Sequence, residues 1–191
     1  MKTIELTQAD MGKRVARFKD LAPLGSQSNG EVPLETLDII YARKVLSVIG
    51  LAEGETAVSQ GALIKGAGGM AMGIGVCPPG QGPTLHAHHK TYETFTVLRG
   101  RFEVRWNDDG GESLVLEQFD TISIPPGVCR AFRNVGEEEG LLQAIITGGV
   151  HDMQDIAFSR VVGEQLAAEN PKALDYFKTV GFEFNASRED A

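Results

Sequence analysis

The sequence predicts an all-β fold, an antiparallel double-sheet sandwich or barrel, on three observations. Seven or more short segments alternate bulky with small or polar residues at a period of two. Turn residues separate them at near-regular spacing, and 23 glycines accompany an aromatic content of only 7%. Period-two alternation sends successive side chains to opposite faces, so each segment has one face to pack and one to expose.

From Met1 to about Pro33 the pattern is irregular, and Gly25 to Glu31 (GSQSNGE) reads as a flexible linker, giving an N-terminal arm and linker over residues 1–40. Lys44 to Ile49 reads as a strand ended by Gly50. Met70, Met72, Ile74 and Val76 alternate with Ala71, Gly73, Gly75 and Cys77, a strand with one packed face that Pro78 to Pro83 stops. Extension resumes over Thr84 to His88, and Thr94 to Leu98 is closed by Gly100.

Phe102, Val104 and Trp106 then alternate with Arg101, Glu103 and Arg105, and Asp108 to Gly111 is a hairpin turn before Ser113 to Leu116. Thr121 to Ile124, Arg130 to Asn134 and Leu141 to Thr147 complete a barrel over residues 41–150. The remaining 151–191 form a helical extension. Asp152 caps a segment with Ile156, Val162 and Leu166 at helical intervals, while Asn170-Pro171 and Gly181 start and stop a second short helix.

At 191 residues the chain suits one domain with arms. A net charge of −8 and a pI near 5.0 oppose a nucleic-acid partner, which is held chiefly by Lys and Arg on phosphates. No apolar run approaches the roughly 18 residues that span a bilayer, and the amino terminus lacks the apolar core of a signal peptide. Residence in the cytoplasm is therefore the default, and the two cysteines, Cys77 and Cys129, fit a reducing compartment better than a regulatory disulfide.

Three of the four histidines, His86, His88 and His89, fall within four positions, and Glu93 follows past a short turn. On an extended backbone His86 and His88 share a face while His89 points away, and Glu93 can fold back onto the same interior. Two neutral imidazoles and one carboxylate make a facial set that leaves open positions on Fe(II), Mn(II), Ni(II), Co(II) or Zn(II). The competing reading is an exposed His-X-His strand with a solvated glutamate. Alternation turns Phe95, Val97, Phe102, Val104 and Trp106 inward, and Phe132 shares the face of Arg130 and Asn134. These are expected wall residues, with plain core packing as the alternative for each.

The segment GQGPTLHAHHKTYETFTVLRG resembles the first motif of the cupin superfamily, G(X)5HXH(X)3-4E(X)6G, at every fixed position: Gly80, His86, His88, Glu93 and Gly100. The second motif, G(X)5PXG(X)2H(X)3N, is matched by Pro125, Gly127 and Asn134 in FDTISIPPGVCRAFRN. There Phe119 replaces the glycine and Arg130 the histidine. The resemblance, over about Met70 to Thr147, implies a double-sheet jelly-roll barrel with His86, His88 and Glu93 as metal ligands inside it.

Arginine cannot ligate a metal, so at most three of the usual four protein ligands remain. If metal binds, Arg130 is expected beside it, holding a substrate carboxylate or enolate. If metal is lost, Arg130 is expected to pair with Glu93 and occupy its oxygens. His151 can in principle replace the missing ligand, though it is expected at the rim.

By resemblance, the expected activity is that of a metal-dependent, dioxygenase-type oxidoreductase of quercetinase-like kind. Its substrate would be small, with an enol, catechol, diketone or carboxylate group; Glu93 and Arg130 would be the catalytic residues, and Arg130, Phe95, Trp106 and Phe132 the substrate-binding ones. The alternative is a non-enzymatic cupin that binds a small anionic metabolite through Arg130. A homodimer is expected, across whose interface the N-terminal arm plus an early strand could exchange.

Overall fold

The period-two segments become strands, and the computed structural model, which describes residues 1–28, 30–51, 59–66, 68–149 and 154–187, places them in two sheets. The strands are β1 (Lys44–Gly50), β2 (Ile64–Lys65), β3 (Met70–Cys77), β4 (His86–His88), β5 (Tyr92–Arg99), β6 (Phe102–Trp106), β7 (Glu112–Leu116), β8 (Thr121–Ile124), β9 (Arg130–Asn134), β10 (Gly140–Thr147) and β11 (Ile156–Phe158). One sheet has the order β2-β1-β3-β10-β5-β8, the other β11-β4-β9-β6-β7. All pairings are antiparallel except β1 with β2. The result is a jelly-roll barrel whose two sheets enclose a common core.

Phe95, Val97, Phe102 and Val104 fill that core with no exposed surface, and Phe132 meets both Phe95 and Phe102 edge-on. Each such burial contributes on the order of 1.5–3 kcal/mol. Strand β3 is turned so that its bulky residues face away from this core. Ile74 and Val76 pack with Leu46 and Val48 in a separate cluster, against which Ala16 and Leu21 of the arm lie. Its small residues, Ala71, Gly73 and Gly75, face the interior and leave space there.

The connection from β3 to β4 is fastened to β9. Gly82 passes so near Phe132 that a Cβ would sit 1.9 Å from its carbonyl oxygen, so only glycine fits. Buried Asn134 donates to the carbonyls of Cys77 and Glu138. These contacts hold the first histidine strand against the barrel.

In the segment expected to be a linker, residues 25–31, Gln27 is tied to the body of the fold. Gln27 donates to Ala42 O at 2.8 Å and accepts from Val45 N at 2.8 Å, which clamps the segment to β1. Beyond the short helix α1 (Gln8–Gly12), Leu24, Val32, Leu37 of α2 (Leu34–Leu37), Ile40 and Tyr41 are buried in a core cluster. They pack with Phe158, Val162, Leu166, Phe177 and Phe182 of the C-terminal extension. Local composition does not register burial supplied by residues more than a hundred positions away.

The two C-terminal helices are present as α3 (Arg160–Glu169) and α4 (Pro171–Thr179), the second capped by Asn170 with Pro171 in its first turn. Ile156, read as helical from its spacing, is instead in β11, because its backbone pairs with the edge of β4. Asp152 and His151 lie outside the described residues. Among the described residues no helix is long and apolar enough to cross a membrane.

Candidate metal centre

Strand β4 presents His86 and His88 to the interior, as two residues apart on an extended backbone must be. Glu93 enters from β5, beyond the turn at Lys90 and Thr91. All three side chains are buried, and one donor atom from each falls within 4.8 Å of the others. The Nε2 atoms of His86 and His88 each stand 3.6 Å from Glu93 Oε2. The splayed, solvent-exposed alternative is thereby excluded.

Both imidazoles are oriented from behind. His86 Nδ1 lies 2.9 Å from Thr84 O, and because a carbonyl only accepts, that nitrogen carries the hydrogen. His88 Nδ1 lies 2.7 Å from Thr91 Oγ1, whose hydroxyl donates to Asp155 Oδ2. Each Nε2 is left with a lone pair toward Glu93. Burial pushes the His88 imidazole below its ordinary value, against the pull of Glu93 and Asp155, which keeps it neutral and able to ligate.

Burial works to raise the Glu93 carboxyl, but the neighbouring His88 imidazole and the permanent charge of Arg130 oppose it. They hold the group well below the usual carboxylate range. Arg130 on β9 has no exposed surface; its Nε–H donates to Glu93 Oε2 at 3.0 Å and Nη1 to Val128 O at 3.2 Å. Nη2 is buried with no hydrogen-bond partner among the described residues. The guanidinium thus stands behind Glu93, where the second cupin motif would supply an imidazole.

A cavity of about 100 Å3 opens beside the triad. His86, His88 and Glu93 are its polar end; Phe132, Leu142, Phe158 and Phe182 belong to an otherwise apolar wall. Of the expected wall residues, Phe132 lines it. Phe95 is closed into the core, edge-on to Phe132, and Trp106 is half-buried; neither borders the space, since alternation sets the face of a residue and not its distance from the triad. Arg130 does not border it either. His89 faces outward, half-exposed, 3.8 Å from Glu183.

The donor set fits a divalent transition metal held by His86, His88 and Glu93, with both imidazoles presenting lone pairs and a carboxylate kept ionised. Asp155, Tyr41, Phe158 and Phe182 border or support the site without any local signal in the sequence. Ile156 and Phe158 pair with His88 and His86 across β11 and β4, and the Phe158 ring lies 5.2 Å from that of His86. Only the alternation in IAF hints at a strand.

Residues 73–146 match the family model described as Cupin domain, which runs from within β3 to within β10 and includes His86, His88, Glu93 and Arg130. No curated protein sequence matches the chain at a significant level. Among solved structures it is similar to the cupin domain of Schizosaccharomyces pombe Cnp3, with 20% identity over 42% of this chain and 56% of that one and a TM-score of 0.39. A Bacillus halodurans protein shares 20% identity over 46% and 69%, with a TM-score of 0.42. A cupin protein from Bacteroides fragilis shares 22% over 44% and 70%, with a TM-score of 0.40.

Proposed function

The chain belongs to the cupin superfamily through its domain at residues 73–146, and on that premise we propose that it is a metal-dependent enzyme acting on a small substrate. The observation that carries the reading is the convergence of His86 Nε2, His88 Nε2 and Glu93 Oε2, at 3.6 Å in each case, at the polar end of an apolar cavity. A divalent Fe, Mn, Ni, Co or Zn ion bound there supplies Lewis acidity and open positions for a chelating oxygen pair.

The apolar wall selects a substrate with a compact hydrocarbon body, and the buried triad receives its enol, catechol, diketone or carboxylate end. Glu93, held ionised, gives that end a carboxylate oxygen that ligates the metal and accepts hydrogen bonds. Arg130 keeps Glu93 in place and ionised from behind. Dioxygenase-type chemistry is the reaction class we put first. A homodimer belongs to the same proposal, and elution at the 20.5 kDa monomer mass at micromolar concentration counts against it.

The test is metal analysis of protein purified without nickel affinity, before and after reconstitution. A stoichiometric transition metal that is lost in His86→Ala, together with oxygen uptake on small enols or catechols, supports the enzyme. Unpartnered Arg130 Nη2 supports a second reading, a non-enzymatic binder of a small anion. Absence of metal after reconstitution, with an organic anion retained by the wild type and lost in Arg130→Met, selects that reading.

A further inference from the structure

We infer that Asp155 is a positioning residue of the metal centre: through the Thr91 hydroxyl it fixes His88 in the tautomer whose Nε2 lone pair faces Glu93. The inference rests on the metal-holding reading of the triad.

The hydrogen bonds have only one consistent direction. An ionised carboxylate accepts and cannot donate, so Thr91 Oγ1 donates to Asp155 Oδ2. With its one hydrogen committed, the hydroxyl must accept from His88 Nδ1 at 2.7 Å. Asp155 Oδ2 is itself 3.2 Å from Nδ1, so two acceptors flank that N–H. The other carboxylate oxygen accepts from Lys90 N at 2.7 Å, and Asp155 O accepts from His89 N at 2.8 Å.

All four bonds reach the segment that carries the second histidine and the turn to Glu93. Asp155 directly precedes β11, which pairs with β4. The C-terminal extension is therefore joined to the ligand set, and not merely packed outside the barrel. A carboxylate behind a metal-binding imidazole sets its tautomer and orientation, and losing one weakens metal binding by roughly 10–100-fold.

A purely structural role, pinning the turn through Lys90, is separable from the tautomer role. In Asp155→Asn the Lys90 N–H requires an acceptor and keeps the amide oxygen in the Oδ1 place, so the amide nitrogen takes the Oδ2 place. Thr91 then accepts from that nitrogen, which releases its own hydrogen to turn toward His88 Nδ1. The imidazole hydrogen moves to Nε2, and the lone pair facing Glu93 is gone.

The experiment uses the full chain. Nitrogen-15 NMR of the metal-free protein is expected to show His88 protonated on Nδ1 in the wild type and on Nε2 in Asp155→Asn. Competition titration with Co2+ or Zn2+ is expected to show an affinity loss of about 10–100-fold in Asp155→Asn with an unchanged unfolding midpoint, and wild-type affinity in Thr91→Ser. Wild-type metal affinity in Asp155→Asn, or an Nε2-protonated His88 in the wild type, overturns the inference. Should Asp155→Asn fail to fold, the wild-type tautomer decides. A wild type that takes up no metal counts against the function proposed above, while the tautomer exchange still tests the relay.

Discussion

Arg130 donates its Nε–H to Glu93 Oε2 across 3.0 Å, and both side chains are buried. The pair cancels charge in a place where neither partner is hydrated. Removing one partner of such a pair costs about 3–5 kcal/mol, whereas replacing both by uncharged groups of similar volume is often neutral. In the metal-free protein Arg130→Met is therefore expected to lower the unfolding free energy in urea by about 3–5 kcal/mol. Arg130→Met with Glu93→Gln should recover most of that loss. A single variant that unfolds at the wild-type midpoint would show that the guanidinium is not what compensates Glu93.

Phe119 has a φ of +74° and is 73% exposed. It turns the chain between β7 and β8, with its N–H on Val97 O at 2.7 Å. A left-handed backbone costs a residue with a Cβ about 1–2 kcal/mol, and the exposed ring has little packing to lose. Phe119→Gly is expected to stabilise the protein by about 1 kcal/mol, raising Tm by about 2–4 °C in calorimetry. Phe119→Ala keeps the Cβ and should give no such gain; an equal gain from both would place the cost in the exposed ring instead of the backbone.

The cysteines are free and buried, Cys77 with no exposed surface and Cys129 with 5%. Burial pushes their thiols up, to about 12 for Cys77 and about 11 for Cys129, where Asp108 adds to the effect. Because the thiolate is the nucleophile, neither should react with iodoacetamide in the native protein at about pH 8, and both should react once it is unfolded. Stoichiometric native labelling, read by mass spectrometry, would contradict this placement.

How much of the site the sequence carries depends on the range of the contact. His86, His88 and Glu93 lie within eight positions, and strand alternation plus one turn is enough to bring them together. Asp155 reaches Thr91 from 64 residues away through a strand of three residues, and nothing local in the sequence announces it. Gly25 to Glu31 reads as a linker because Gly, Ser and Asn dominate it, yet the apolar residues on either side, Leu24, Val32 and Leu37, close a core with α3 and α4. Alternation turns Phe95 into the barrel, where it is fully buried, but it sets only the face of a residue, so it could not tell wall from core.

The same alternation does explain why there is a cavity. Strand β3 turns Gly73 and Gly75 toward the space that larger side chains would fill. A Cβ at Gly75 would meet Ala42 Cβ at 3.2 Å and Phe132 Cζ at 3.7 Å, whereas one at Gly73 meets only Leu46 O, at 3.4 Å. Gly73 is thus the position where bulk enters the cavity with the least collision, and valine suits a strand. Gly73→Val is expected to fold with a near-wild-type Tm and unchanged metal stoichiometry. It should weaken small-ligand binding by at least about tenfold, roughly 1.4 kcal/mol. Calorimetric titration of metal and ligand in parallel checks both halves. If ligand affinity were unaffected by a valine there, the space beside the triad would not be where the substrate body sits.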